Sequence, residues 1–176
     1  MAFSLVNLDS ATRELMLEEI NGDIKTGKLH ASKRLNVIGQ QEYPQLLKEA
    51  AEKYDDSWLT SQLRSGNKFN PTEERNVKGK IITAKMNEKA PDMLAEGEFN
   101  RFYLRGLCLR AIRDNISSLI IYRAKPVSNP SPESEAKIGT AISPQALLND
   151  LRANVGTDTA FGVPRGPNSG LSAKLP

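Results

Sequence analysis

The stretch at positions 96–125, EGEFNRFYLRGLCLRAIRDNISSLIIYRAK, restricts the fold more than any other part of this chain. At about 100° per residue, Phe99, Phe102, Tyr103, Leu107, Cys108, Leu109, Ala111 and Ile112 fall on nearly every side of a helix. A helix that is apolar all round is one surrounded by the rest of the protein. The same helix carries Arg101, Arg105, Arg110 and Arg113. Arginine is seldom buried unpaired, so each of these must reach an edge, a carboxylate or a partner. The pattern predicts a central helix over 96–115 that runs into a strand at 119–124, where Leu119, Ile120, Ile121 and Tyr122 favour extended backbone. Gly97 is read as dividing a short first turn, opened by Pro91-Asp92, from the main helix.

Around this centre the local signals are helical at the N-terminus. Positions 9–26 form an amphipathic pattern with Met16, Leu17, Ile20 and Ile24 on one stripe, an Asp9 or Ser10 cap and a Gly27 stop. Glu14, Glu18, Glu19 and Asp23 fall opposite and are read as a wet face. Positions 28–42 read as a connection. Pro44 is placed in the first turn of a short helix reaching Tyr54, and Asp55-Asp56 caps another that holds Trp58, Leu59 and Leu63.

From 67 to 90 the periodicity breaks. Asn-Pro and Lys-Gly pairs punctuate a basic loop containing Lys68, Arg75, Lys78, Lys80, Lys85 and Lys89, with a short edge strand at 81–84. SNPSPESE at 128–135 reads as a surface loop, 138–142 as a strand antiparallel to 119–124, and 144–154 as a helix with a Ser143 cap and Pro144 at its first position. The tail, GVPRGPNSGLSAKLP, is rich in Gly, Pro and Ser. It reads as an irregular C-terminal arm over 160–176, attached to a single domain at 1–159. The fold class expected is α+β and mainly helical, with the long central helix packed against the N-terminal helices and a small antiparallel sheet.

Charge is unevenly spread. Positions 1–63 hold 7 basic and 10 acidic residues, whereas positions 64–125 hold 13 basic and 7 acidic. A basic middle segment suits an acidic protein surface or a nucleic acid. No apolar run approaches the roughly 20 residues of a membrane span, the N-terminus lacks the basic start of a secretory signal, and the single Cys108 forbids an internal disulfide. These features lead to an expectation of no membrane partner and of a cytoplasmic location, or of incorporation in a virion or similar assembly.

The residues for catalysis are sparse. The lone His30 and lone Cys108 have no pattern that joins them. Asp92 and Glu135-Ala136-Lys137 loosely imitate the carboxylate and lysine set of metal-dependent nucleases, in which two carboxylates hold Mg²⁺. Gly162, Gly166 and Gly170 lack the lysine of a phosphate loop. No catalytic residue, metal ligand or cofactor is assigned. Glu98, Arg101 and Arg105 are spaced to share one helix face. They suit either a structural row or a phosphate contact.

EGEFNRFYLRGLCLRAI, IYRAK, NPSPESE and GPNSGL together resemble a scattered group of small bacterial proteins without assigned activity. The resemblance covers most of the chain, is strongest from Glu96 onward, and implies one coherent unit with no functional residue carried over.

The leading expectation is a non-enzymatic assembly or interaction protein, in concrete form a phage-type or mobile-element structural component. It would bind other protein subunits, its own copies or different ones, through the basic segment and the C-terminal arm. The contact residues expected, toward a partner or phosphate, are Lys78, Lys80, Lys85, Lys89, Arg101, Arg105 and Arg165. A nucleic-acid-binding accessory protein is the second expectation and a metal-dependent nuclease the third.

Overall fold

A computed structural model describes residues 2–164 and 168–176. Helix α1 (Ser10–Thr26) starts where Asp9 accepts a hydrogen bond from the Thr12 N–H and ends at Gly27. Helix α2 (Val37–Lys53) starts earlier than its proline suggests, because the Asn36 side chain caps the Gly39 N–H at 2.9 Å. Pro44 therefore lies inside the helix rather than in its first turn. It cannot supply an N–H to the Gln40 carbonyl. Helix α3 (Asp56–Arg64) is capped by Asp55 as its doublet implies.

The segment at 67–90 is ordered. Strands β1 (Thr72–Val77) and β2 (Lys80–Lys85) form an antiparallel hairpin. Helix α4 (Ala90–Arg113) then runs unbroken through Gly97, with Pro91 in its first turn. The predicted break is absent because a single helical glycine costs only about 1 kcal/mol, less than burial of the surrounding face returns. Strand β3 (Leu119–Arg123) follows, then helix α5 (Pro132–Lys137), strand β4 (Ala141–Ile142), helix α6 (Pro144–Ala153) and strand β5 (Leu171–Lys174). Glu133 and Glu135 thus stand on a one-turn helix capped by Ser131, not in an open loop. The second predicted strand shrinks to its last two residues.

The architecture is α+β. Helix α4 lies at the centre, with α1, α3 and α6 packed along it and α2 behind α1 and α3. A three-stranded antiparallel sheet of order β4-β3-β5 covers another side. Phe99, Tyr103, Leu104, Leu107, Cys108 and Ala111 of α4 are fully buried, together with Met16, Ile20, Tyr43, Leu47, Leu59, Leu63, Leu119 and Leu147. A helix apolar on all sides has found the surroundings it needs.

Two expectations fail for reasons of packing. The face of α1 read as wet is split. Glu14 and Glu18 are exposed, but Glu19 and Asp23 are buried against α4, where they meet Arg105. The C-terminal arm is also corrected. Residues 171–174 form β5, which pairs with β3 from Ile120↔Lys174 to Arg123↔Leu171. Leu171 and Ala173 are fully buried. Helix α4 holds the strand's backbone: Asn100 Nδ2 donates to the Leu171 carbonyl at 2.8 Å and Tyr103 Oη donates to the Ala173 carbonyl at 3.2 Å. The Ser172 hydroxyl donates to Asn100 Oδ1 at 2.7 Å.

Close approach of α1 and α4 rests on Gly106. A Cβ there would sit 2.9 Å from the Thr12 carbonyl oxygen, the Met16 backbone nitrogen and Met16 Cγ. Two of these are backbone atoms, so the helices must separate to admit a methyl group. Gly106→Ala is expected to lower stability by about 1–3 kcal/mol despite alanine's better helix propensity. Urea denaturation measures this, and an unchanged or raised midpoint would refute the close contact.

Candidate functional site

The residues expected to make contacts fall into two groups, and the fold separates them. Lys78, Lys80, Lys85 and Lys89 are exposed on or beside the hairpin. Arg101 and Arg105 are 7% and 5% exposed inside the fold. Arg165 lies outside the described residues.

Arg105 is at the centre of a buried charge cluster. Its Nε donates to Glu19 Oε2 at 2.6 Å, and its two terminal nitrogens donate to the Asp23 carboxylate at 2.6 and 2.8 Å. Arg152 from α6 reaches the same Glu19, with Nε donating at 3.1 Å. Burial pushes the Glu19 carboxyl up, but hydrogen bonds and charge from Arg152 and Arg105 outweigh it and hold the group below its ordinary range. The guanidinium also stacks over Phe102 at 4.7 Å. Burial and pairing with two carboxylates keep Arg105 off the surface, so it is withdrawn from the contact set. Arg101 is withdrawn as a surface contact too: Nη1 donates to the Asn154 carbonyl at 2.8 Å, and Nε lies 3.6 Å from Glu98.

The remaining candidate surface is the hairpin. Its root is tied to the body. Asn36 N–H donates to the Lys68 carbonyl at 2.9 Å, and Arg34 Nε meets Glu73 at 2.6 Å. Lys68 itself is buried, with Nζ donating to the Ser65 carbonyl at 2.8 Å and to Glu42 at 3.1 Å. Beyond the root every residue from Val77 to Thr83 is exposed. The strands pair to the end through a two-residue turn in which Lys78 and Gly79 have φ of 51° and 82°. That is the primed geometry whose twist suits a tight hairpin. Asn76 Oδ1 accepts the Gly79 N–H at 2.9 Å and steadies it.

Register places Arg75 opposite Ile82 and Asn76 opposite Ile81. Val77, Lys80 and Ile82 therefore share one face, and Ile81 and Lys85 the other. Both faces are apolar and basic together, with Ile81 72% exposed, Val77 45% and Ile82 44%. Among the described residues the hairpin has no third strand, so its outer edges carry no further backbone ladder. Sequence reading found β2 but missed β1. The available signal was Asn76-Val77-Lys78-Gly79, with glycine at the second turn position. Lysine, which rarely takes positive φ, obscured it.

The other sequence candidates are not assembled. Asp92 pairs with Arg64, Glu135 pairs with Arg123, and Lys137 Nζ donates to the Phe161 carbonyl at 2.6 Å. Among the described residues no group of three His, Cys, Asp or Glu is placed to hold a metal ion. Cys108 is buried on α4, and burial pushes its thiol up, away from the reactive thiolate. His30 lies in the link between α1 and α2 and lines a cavity with Glu98 and Arg101. Among the described residues no helix is long and apolar enough to cross a membrane.

No protein-family model, curated protein or solved structure matches this chain.

Proposed function

We propose that this chain is a non-enzymatic assembly protein whose hairpin docks on a second copy of itself. A structural component of a phage-type or mobile-element particle is one concrete form of that role, carried out in the cytoplasm or within the assembled particle. The observation that carries the reading is the hairpin tip, Val77 to Thr83, exposed on both faces with Ile81 and Ile82 at its centre. A lone two-stranded ribbon is marginally stable in water. One built with bare isoleucines gains most when a partner covers them.

Complementary charge is present in the same chain. Glu14 and Glu18 on α1 and Glu52 at the end of α2 are exposed, in the acidic N-terminal part of the chain. Lys78, Lys80, Lys85 and Lys89 supply the opposite charge. Basic hairpin against these acidic helical residues is a head-to-tail contact, the kind that builds rings or filaments. Residues 171–174 contribute nothing here, since they are used inside the fold.

The second reading, a nucleic-acid-binding accessory protein, is favoured by the four exposed lysines, which suit phosphates equally well. It loses Arg101 and Arg105. The test is light scattering of the full chain over a concentration series, at low and high salt, with and without duplex DNA. The assembly reading expects mass to rise with concentration, to fall at high salt and to ignore DNA. Ile81→Asp/Ile82→Asp is expected to weaken association at least about tenfold, with an unchanged melting temperature. A wild-type monomer at every concentration refutes the assembly reading. A monomer that joins DNA only at low salt replaces it with the second.

A further inference from the structure

A cavity of about 180 Å³ lies between α4, the 30–34 part of the link before α2, and the 156–164 segment after α6. This is smaller than the ~300–1,000 Å³ of sites for drug-sized molecules, so it suits a ligand of a few heavy atoms. Its lining includes buried polar side chains beside Ala90 and Leu94. Glu98 and Arg101 are each 7% exposed, and His30, Ser32 and Arg34 face them.

These groups are incompletely used by the protein. Arg101 commits Nη1 to the Asn154 carbonyl, but no hydrogen bond among the described residues involves its Nη2. The Glu98 carboxyl makes no hydrogen bond among them either, its nearest cation being Arg101 Nε at 3.6 Å. Buried polar groups normally find partners. Here a charged donor and a carboxyl group, both nine-tenths buried, are left facing one cavity. Gly156 lies so close to the His30 ring that no side chain fits between them, which brings the backbone of 156–158 against the site.

We propose that this cavity binds a small oxyanion, a carboxylate or a phosphate-like group, with Arg101 and Arg34 as its cations and Glu98, Ser32 and His30 as its hydrogen-bonding groups. With Glu98 protonated the charged groups of the lining are two cations, Arg34 and Arg101, and one carboxylate, Asp158, which leaves room for an anion rather than a cation. Arg34 is only partly offset by Glu73, which also serves Arg75. Burial and the Arg101 charge hold His30 below its usual range, so it enters neutral. Burial raises the Glu98 carboxyl to about 7, against the opposing pull of Arg101 and Arg105. In its protonated form it donates a hydrogen bond to a bound anion instead of repelling it.

The pH dependence follows from that proton. Glu98 faces Arg101 and Arg105 on its own helix, Asp23 on α1 and Tyr43 on α2, with His30, Arg34 and Asp158 around the cavity. A bound anion favours the protonated carboxyl, so affinity falls as pH rises through about 7.

The test is titration of the full chain with acetate and, separately, with sulfate at constant ionic strength in chloride, followed by calorimetry and by the Gly97 and Gly156 amide signals. Saturable shifts at both amides are expected, with Kd on the order of 1 mM or tighter. Response to acetate alone assigns a carboxylate ligand, and response to sulfate alone a phosphate-like one. Arg34→Gln, at a half-buried position, is expected to bind at least about tenfold more weakly. Arg101→Gln is expected to lose binding, and Glu98→Gln to keep binding while losing its dependence on pH between 6 and 8. No saturable shift with either ion refutes the site. Undiminished binding in folded Arg34→Gln, or shifts confined to the hairpin lysines, refutes it as well.

Discussion

Deleting residues 171–176 is expected to prevent stable folding, with a loss of at least about 4 kcal/mol. The fully buried Leu171 alone accounts for roughly 2–5 kcal/mol when truncated to alanine. Removing the strand also strips partners from Asn100 and Tyr103, both buried on α4. Each orphaned buried polar group costs about 1–3 kcal/mol. Strand β3 loses four paired positions and becomes an edge of a two-stranded remnant. A truly independent arm would leave the melting temperature unchanged on deletion. Circular dichroism melts of the truncated chain and of Leu171→Ala, which keeps the backbone ladder, distinguish these outcomes. If both melt like the parent, β5 is not part of the folded core.

Replacing Arg105 by alanine is expected to cost about 3–5 kcal/mol, because it leaves Glu19 and Asp23 buried with too little positive charge. Asp23 loses both of its guanidinium hydrogen bonds, while Glu19 keeps Arg152. The pH response of stability should weaken with the substitution. In the parent, Glu19 is held below its ordinary range, so its contribution is present at neutral pH and is lost as pH falls through that lowered value. In Arg105→Ala the Glu19 carboxyl keeps only Arg152 against the burial that raises it, so less stability is lost on going from pH 7 to pH 4. Urea denaturation at these two pH values reads the difference. A companion variant, Arg105→Met with Glu19→Gln and Asp23→Asn, should recover much of the loss, since neutral groups avoid the desolvation penalty. If Arg105→Ala is as stable as the parent at pH 7, the cluster does not organise the α1–α4 contact.

Legibility in the sequence followed the range of the interaction. Asp9, Asp55, Ser131 and Ser143 each cap a helix through a contact within three residues. Capping and periodicity therefore located α1, α3 and α6 closely, and the all-round apolar pattern of Phe99 to Ala111 identified the buried centre. Even there a local rule misled. Pro44 is usually a first-turn residue, yet α2 extends before it, because the Asn36 cap and burial of Tyr43 and Leu47 outweigh one missing hydrogen bond.

What the chain determined alone was the set of segments, their caps, and the presence of arginines on a helix that had to be buried. Only the tertiary structure decided where those charges went. Arg105 finds Glu19 and Asp23 more than 80 positions away, and no periodicity records such a pairing. Likewise nothing within GPNSGLSAKLP marks a strand. Ser172 and Ala173 become one because β3 offers a free edge and Asn100 and Tyr103 offer polar atoms at the right height. Local conformational preferences amount to tenths of a kcal/mol per residue, whereas burying a leucine or leaving a carboxylate unpaired is a matter of several. These stronger interactions join segments distant in sequence, and they settled both the core and the surface left exposed.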